Sequence, residues 1–229
     1  MSSELRAQLV QAAELLFTSG VMQASGHGNM SARLDGERML LTRRGGTLPG
    51  LTADDLVEVT FDGQARGGEL DPDAREIVGW HSGVYRERAD AGAVIHTHPP
   101  HVTGFALAHE ALPCAYEALL RFGVTDAIPV AGWAPRGSPE HVANIVARLR
   151  EYPAVPAVLL GNHGLLAFAA DSVATARLVI ILEEAAQMTL AARRLGGEQP
   201  FPPGALEAER AHMARFGSGC GRDTRKSQP

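Results

Sequence analysis

Ala93-Val94-Ile95-His96-Thr97-His98-Pro99-Pro100 is the stretch from which the rest of the chain can be read. Three apolar residues lead into a His-Thr-His triplet, and two prolines end it because proline brings no N–H to a strand ladder. The segment is predicted as a strand over residues 93–98. Side chains on a strand alternate between faces, so His96 and His98 project together while Thr97 points away. Two neutral imidazoles sharing one space are half of a zinc-type ligand shell, or else a hydrogen-bonded pair near a strand end.

A third histidine enlarges the first possibility. His163 lies in Gly161-Asn162-His163-Gly164, a turn between the apolar runs Ala157–Leu160 and Leu165–Phe168, both read as short strands. Alone it reads as a turn residue bonded to backbone. Three histidines at strand ends and turns of one sheet also make a three-ligand site with a fourth position free, the form a catalytic metal requires.

Working outward, Ser3–Ser19 has helical spacing, with Gly20 as its stop. Met30–Leu34 and Met39–Thr42 alternate around Asp35-Gly36 as a hairpin, and Val57, Val59 and Phe61 mark a further strand. Asp73–Glu87 is helical, with Ile77, Trp80, Val84 and Tyr85 inward. Ser138-Pro139 opens a helix to about Arg150, and Asp171-Ser172 caps one to about Arg194. The expected fold is α/β: a mixed, largely antiparallel sheet covered by helices, with residues 1–216 as one domain and 217–229 as a frayed tail.

Composition narrows the function classes. The 229 residues are 45% apolar and 21% charged, which excludes wholesale disorder. With 26 acidic against 21 basic residues the net charge is −5, which argues against nucleic acid as a partner. Two cysteines, Cys114 and Cys220, give no disulfide framework and fit a reducing cytoplasm. No apolar run has the length of a membrane span, and the first residues do not read as a signal peptide.

A metal that polarises a carbonyl needs a partner to move protons, and Glu76, in the helix before the His-Thr-His strand, is placed for it. A solvated first-turn acid is the other reading of that residue. His27 stands in the glycine-rich turn Gly26-His27-Gly28-Asn29, as a substrate contact or as a solvated residue. His81 reads as a core histidine, and Glu183 and Glu184 as helix-packing or subunit-contact residues.

Gly28-Asn29-Met30-Ser31-Ala32-Arg33, Tyr85 through Asp90, Val94 to His96-Thr97-His98-Pro99, and Asn162-His163-Gly164 followed by a helix bearing Glu183-Glu184 together resemble the class II aldolase/adducin family. The resemblance runs from about Leu5 to Leu195. It implies a three-layer α/β/α domain, a homotetramer with active sites at subunit interfaces, and a divalent metal on His96, His98 and His163. Zinc is the expected ion, with manganese, cobalt or iron as alternatives. It further implies a glutamate acid/base and Asn29 as a contact to the anionic end of the substrate.

The departures bear on the substrate. The family's Thr-Gly pair after the second strand and Ser-Ser pair before the catalytic glutamate are matched here by Thr42-Arg43-Arg44-Gly45 and Asp73-Ala74-Arg75-Glu76. Ungapped counting puts Ile77 at the glutamate position and Glu76 one residue early, a rotation of about 100° on a helix. Arg44, followed by Gly45 as a further substrate-binding residue, supplies together with Arg75 forked donors suited to a carboxylate, or these arginines remain solvated. The expected activity is a metal-dependent carbon–carbon lyase, an aldolase or decarboxylase, acting through a metal-stabilised enolate on a small anionic hydroxy-carbonyl compound. The alternatives are a sugar-phosphate aldolase, epimerase or dehydratase, and a non-catalytic adducin-like module, which has no need of the full histidine set.

Overall fold

The computed structural model describes residues 2–23, 25–43 and 48–216. Its frame is an eight-stranded sheet: β1 (Gly28–Arg33), β2 (Arg38–Thr42), β3 (Leu56–Thr60), β4 (Ala65–Arg66), β5 (Ala93–Thr97), β6 (Val130–Ala131), β7 (Ala157–Leu160) and β8 (Gly164–Ala169). Across the sheet the order is β4-β3-β2-β1-β5-β8-β7-β6, and every neighbouring pair is antiparallel except β6 with β7. The mixed, largely antiparallel sheet expected from the sequence is therefore what the chain forms.

Strand alternation divides the core into two layers. Met30 and Ala32 of β1, Ile95 of β5, and Leu165 and Ala167 of β8 face one side. There they pack with α1 (Ser2–Thr18), α3 (Pro100–Ala108) and α6 (Ser172–Arg193). Met39 and Leu41 of β2, Val94 of β5, and Leu166 and Phe168 of β8 face the other, under α2 (Pro72–Glu87) and α5 (Pro139–Glu151). Each fully buried large apolar side chain contributes about 1.5–3 kcal/mol, so the two layers fix the register of the whole sheet. The predicted caps form: Ser138 Oγ accepts from the His141 N–H at 3.2 Å, and Asp171 Oδ1 from the Ala174 N–H at 2.8 Å.

Some elements differ from the sequence reading. The Met30–Leu34 strand begins two residues earlier, because Gly28 and Asn29 pair with Thr97 and His96. A side chain on Gly28 would stand 2.8 Å from the His96 carbonyl oxygen, so only glycine lets the two strands approach there. Strand β5 ends at Thr97, leaving His98 just beyond it. Pro99-Pro100 does more than stop that strand: Pro100 is the first residue of α3, where a missing N–H costs nothing. The short α4 (Glu117–Arg121) and the C-terminal α7 (Ala205–Phe216) were not anticipated, nor were the two-residue strands β4 and β6. Arg44, Gly45 and the expected tail over 217–229 lie outside the described residues.

Candidate metal centre

His96, at the end of β5, is buried, and its Nδ1–H donates to the Leu165 carbonyl oxygen at 2.8 Å. That bond fixes the tautomer and leaves the Nε2 lone pair facing the α2 side. His98 has left the strand, yet its Nε2 lies 3.1 Å from His96 Nε2. Gly164 makes room for it: a side chain there would collide with His98 Cδ2 and stand 2.8 Å from the Thr97 carbonyl oxygen.

His163 comes from the β7–β8 turn, which is tied on several sides. Asn162 adopts a left-handed conformation (φ +57°), and its N–H donates to Ala106 of α3 at 3.1 Å. Gly161 N–H donates to Ala131 of β6, and His109 Nε2–H donates to Asn162 Oδ1 at 2.6 Å. The result is a cluster in which one nitrogen from each of His96, His98 and His163 lies within 4.8 Å of the other two. Trp80 forms its floor, edge-on to His96 and His163 at 5.3 and 5.5 Å between ring centroids.

The cluster is uncharged at neutral pH. Burial holds the His96 pKa well below the ordinary imidazole value, with the neighbouring His163 and His98 adding to the effect. Burial also lowers His98, assisted by the charges of His27 and Arg136. His163 is pushed down to about 4 by burial, His98, His141 and Arg136. Neutral, desolvated imidazoles, the His96 lone pair fixed by its bond to Leu165, suit a divalent transition ion, so the donor set fits the group the sequence resemblance implied.

The other expected site residues are distributed unevenly. Asn29 is buried on β1 directly across from His96, with Oδ1 bonded to His81. His27 is exposed, its ring 6.2 Å from that of His98. Arg75 is exposed in the first turn of α2. Glu76 is half exposed and lies 3.1 Å from Arg136 Nε, whereas Ile77 is fully buried in the apolar layer. The carboxylate pairs with Arg136, whose charge acts on His98 and His163 and which also donates to the Asp73 carbonyl oxygen at 2.8 Å.

Two residues near the site went unremarked in the sequence. Arg136 sits in a loop, where nothing in the pattern marks it. His141 is buried on the face of α5 shared with Ile145 and Leu149, 4.8 Å from the Trp80 ring and 6.3 Å from that of His163. Its signal was available: a histidine in an apolar i, i+4, i+8 stripe. Glu183 also proves structural in a specific way, since its carboxylate accepts from the His101 and Val102 N–H groups at 3.0 Å and from His101 Nδ1–H at 2.7 Å. It caps α3 directly after the His98 corner. Glu184 accepts from the Tyr116 hydroxyl at 2.6 Å.

His81 is the core histidine the sequence suggested, and burial pushes its pKa down to about 3. The unfolded chain takes up that proton near pH 6.5, the folded protein only near 3. Its stabilising contribution is thus complete above pH 6.5 and lost as pH falls toward 3, at about 1.4 kcal/mol per unit. The buried His96 and the half-buried His163 act in the same direction. Urea midpoints measured from pH 7.5 to 4.5 should fall steadily below 6.5, and a flat series would refute a neutral, buried His81.

Comparison with known proteins places the chain. Residues 7–190 match the Class II Aldolase and Adducin N-terminal domain family, and the chain belongs to that family. Among its relatives, a 5-methylthioribulose-1-phosphate/5-deoxyribulose-1-phosphate aldolase of Escherichia coli is 32% identical over 161 residues, covering 68% of this chain and 72% of the relative. A 3-oxo-tetronate 4-phosphate decarboxylase of Haemophilus influenzae is 30% identical over 169 residues, covering 71% and 76%. The fold is shared with an L-fuculose 1-phosphate aldolase structure (TM-score 0.81, 24% identity, 93% of this chain and 98% of that one). The family's three-layer α/β architecture is the one described above. Among the described residues, no helix is long and apolar enough to cross a membrane.

Proposed function

We propose that this protein is a divalent-metal-dependent carbon–carbon lyase for a small hydroxy-carbonyl compound with an anionic end. The observation that carries the reading is the convergence of three neutral imidazoles, with His96 locked by Leu165. His96, His98 and His163 would hold the ion, zinc being the expected one. When bound, such an ion supplies Lewis acidity toward the carbonyl and hydroxyl oxygens of the substrate.

The chain's own groups do the rest. Trp80 closes the floor and keeps water from that side. Asn29 offers a hydrogen bond to an oxygen beside His96. Glu76, tied to the site by Arg136, holds or receives the proton exchanged at the substrate hydroxyl. Arg44, Gly45, Arg75 and His27 complete the anionic end in this reading, and Arg43 supports it, because its buried Nε has no hydrogen-bond partner among the described residues. A buried, unpaired guanidinium N–H is a place where an anion is favourable. The arginines tilt the reading toward a carboxylate. A homo-oligomer, a tetramer by the family resemblance, is part of the proposal, and exposed Leu107, Trp133 and Leu195 are apolar surface that subunit contacts would cover.

The names of the relatives favour a second reading, in which the anionic end is a phosphate: each of the three compared proteins is named for a phosphorylated compound. A panel of phosphorylated sugars against hydroxy- and keto-acids, assayed with the zinc-loaded protein, separates the two. Turnover of the acids supports the first reading; turnover confined to phosphorylated compounds replaces it with the second. Silence toward both classes in a fully metal-loaded protein would overturn the lyase reading in favour of a non-catalytic module.

A further inference from the structure

Four buried side chains on the α2 face of the sheet form a hydrogen-bonded row that ends beside the histidine cluster. Tyr85 and His81 come from α2, Ser31 and Asn29 from β1. Tyr85 Oη lies 2.7 Å from Ser31 Oγ, Ser31 Oγ 2.7 Å from His81 Nδ1, and His81 Nε2 2.6 Å from Asn29 Oδ1.

The protons along this row can be placed one by one. Asn29 Oδ1 only accepts, so His81 Nε2 carries the hydrogen. The ring is neutral, its pKa lowered to about 3 by burial, so Nδ1 is bare and accepts from the Ser31 hydroxyl. Ser31 Oγ in turn accepts from the Tyr85 phenol, which burial keeps protonated. Reversing the row fails. With the asparagine turned over, His81 Nδ1–H would donate to Ser31 Oγ, and among the described residues no acceptor would remain either for the Ser31 hydroxyl hydrogen or, if Ser31 donated to the phenol, for the hydrogen on Tyr85 Oη. The backbone amide of Val94, the other polar group at that oxygen, can only donate.

The direction of the row settles what Asn29 presents. Its oxygen is occupied, and among the described residues nothing accepts from Nδ2. Asn29 stands opposite His96 in the antiparallel β1–β5 pair, on the same face, where facing Cβ atoms are about 4.5–5.5 Å apart.

We propose that His81 is a positioning residue: with Ser31 and Tyr85 it forms a one-way relay that locks the Asn29 amide with its NH₂ group toward a substrate oxygen beside the histidine cluster. The role in binding rests on the function proposed above. The consequence is selectivity: a locked NH₂ donates to a carboxylate, phosphate or carbonyl oxygen and rejects a group that must itself donate. A free amide could turn to suit either.

The relay can be tested apart from the substrate. ¹⁵N NMR of the labelled protein, with the His81 signals assigned through His81→Gln, should show the hydrogen on Nε2 and a bare Nδ1. In Ser31→Ala, which removes the donor to Nδ1, that preference should weaken. A hydrogen on Nδ1, a charged ring at pH 7, or no change in Ser31→Ala would overturn the relay. For the binding arm, hydroxypyruvate and dihydroxyacetone phosphate are titrated calorimetrically into zinc-loaded protein. His81→Gln should weaken binding about tenfold in the parent and leave it unchanged in an Asn29→Ala background, with zinc content intact throughout. Equal losses in both backgrounds would reduce His81 to a general structural role and overturn the proposal. Should neither probe bind the parent, the substrate reading fails and the tautomer alone decides the relay.

Discussion

Replacing His96 by alanine should leave a protein that no longer retains a stoichiometric divalent ion and has lost essentially all turnover. Of the three imidazoles His96 is the most completely buried and the one whose tautomer is pinned, through Leu165. Removing a group that merely orients a metal ligand costs about 10–100-fold in affinity or activity. Loss of a ligand itself should exceed that, to about 10³-fold or more. Elemental analysis after dialysis should find about one ion per parent chain and far less in the variant. Circular dichroism separates metal loss from unfolding. If a variant with alanine at 96, 98 and 163 still carried one ion per chain, the site would lie elsewhere.

Glu76→Gln should lower kcat by about 10²–10⁴-fold while leaving the metal content unchanged. Glutamine keeps the shape of the side chain and a polar contact to Arg136 but cannot take up a proton. The prediction is sharp because the alternative position is closed: Ile77 is sealed in the apolar layer beneath α2, where a carboxylate would face a large desolvation cost. Glu76, one residue earlier, emerges at the rim with Arg136. An unchanged rate would move proton transfer to another group. A loss of metal would instead show that the carboxylate supports the ligands.

The histidine cluster was legible because strand alternation is a strong rule. Val94 and His96 had to share a face, and the turn at 161–164 had to return at the same end of the sheet. The two-layer core was legible for the same reason. The sequence did not show that His98 lies beyond the strand, since parity alone says nothing about where pairing stops. Nor did it reveal that Pro100 opens a helix, because the same two prolines serve equally well as a terminator. Strand β6 is only two residues long and has no period to detect. Arg136 became visible only when a loop folded onto the first turn of α2. Likewise the sequence shows His81 only as a core position, and its hydrogen bonds to Asn29 and Ser31 depend on residues some 50 positions away.

The Glu183 carboxylate carries a consequence for biogenesis. All three imidazoles precede residue 172, yet the anchor for the corner that follows His98 is delivered by α6, near the end of the described chain. A nascent polypeptide stalled before α6 leaves the ribosome would own all three histidines and still lack the carboxylate that fixes the corner after His98. The geometry at His98 would then be completed only once that helix has docked.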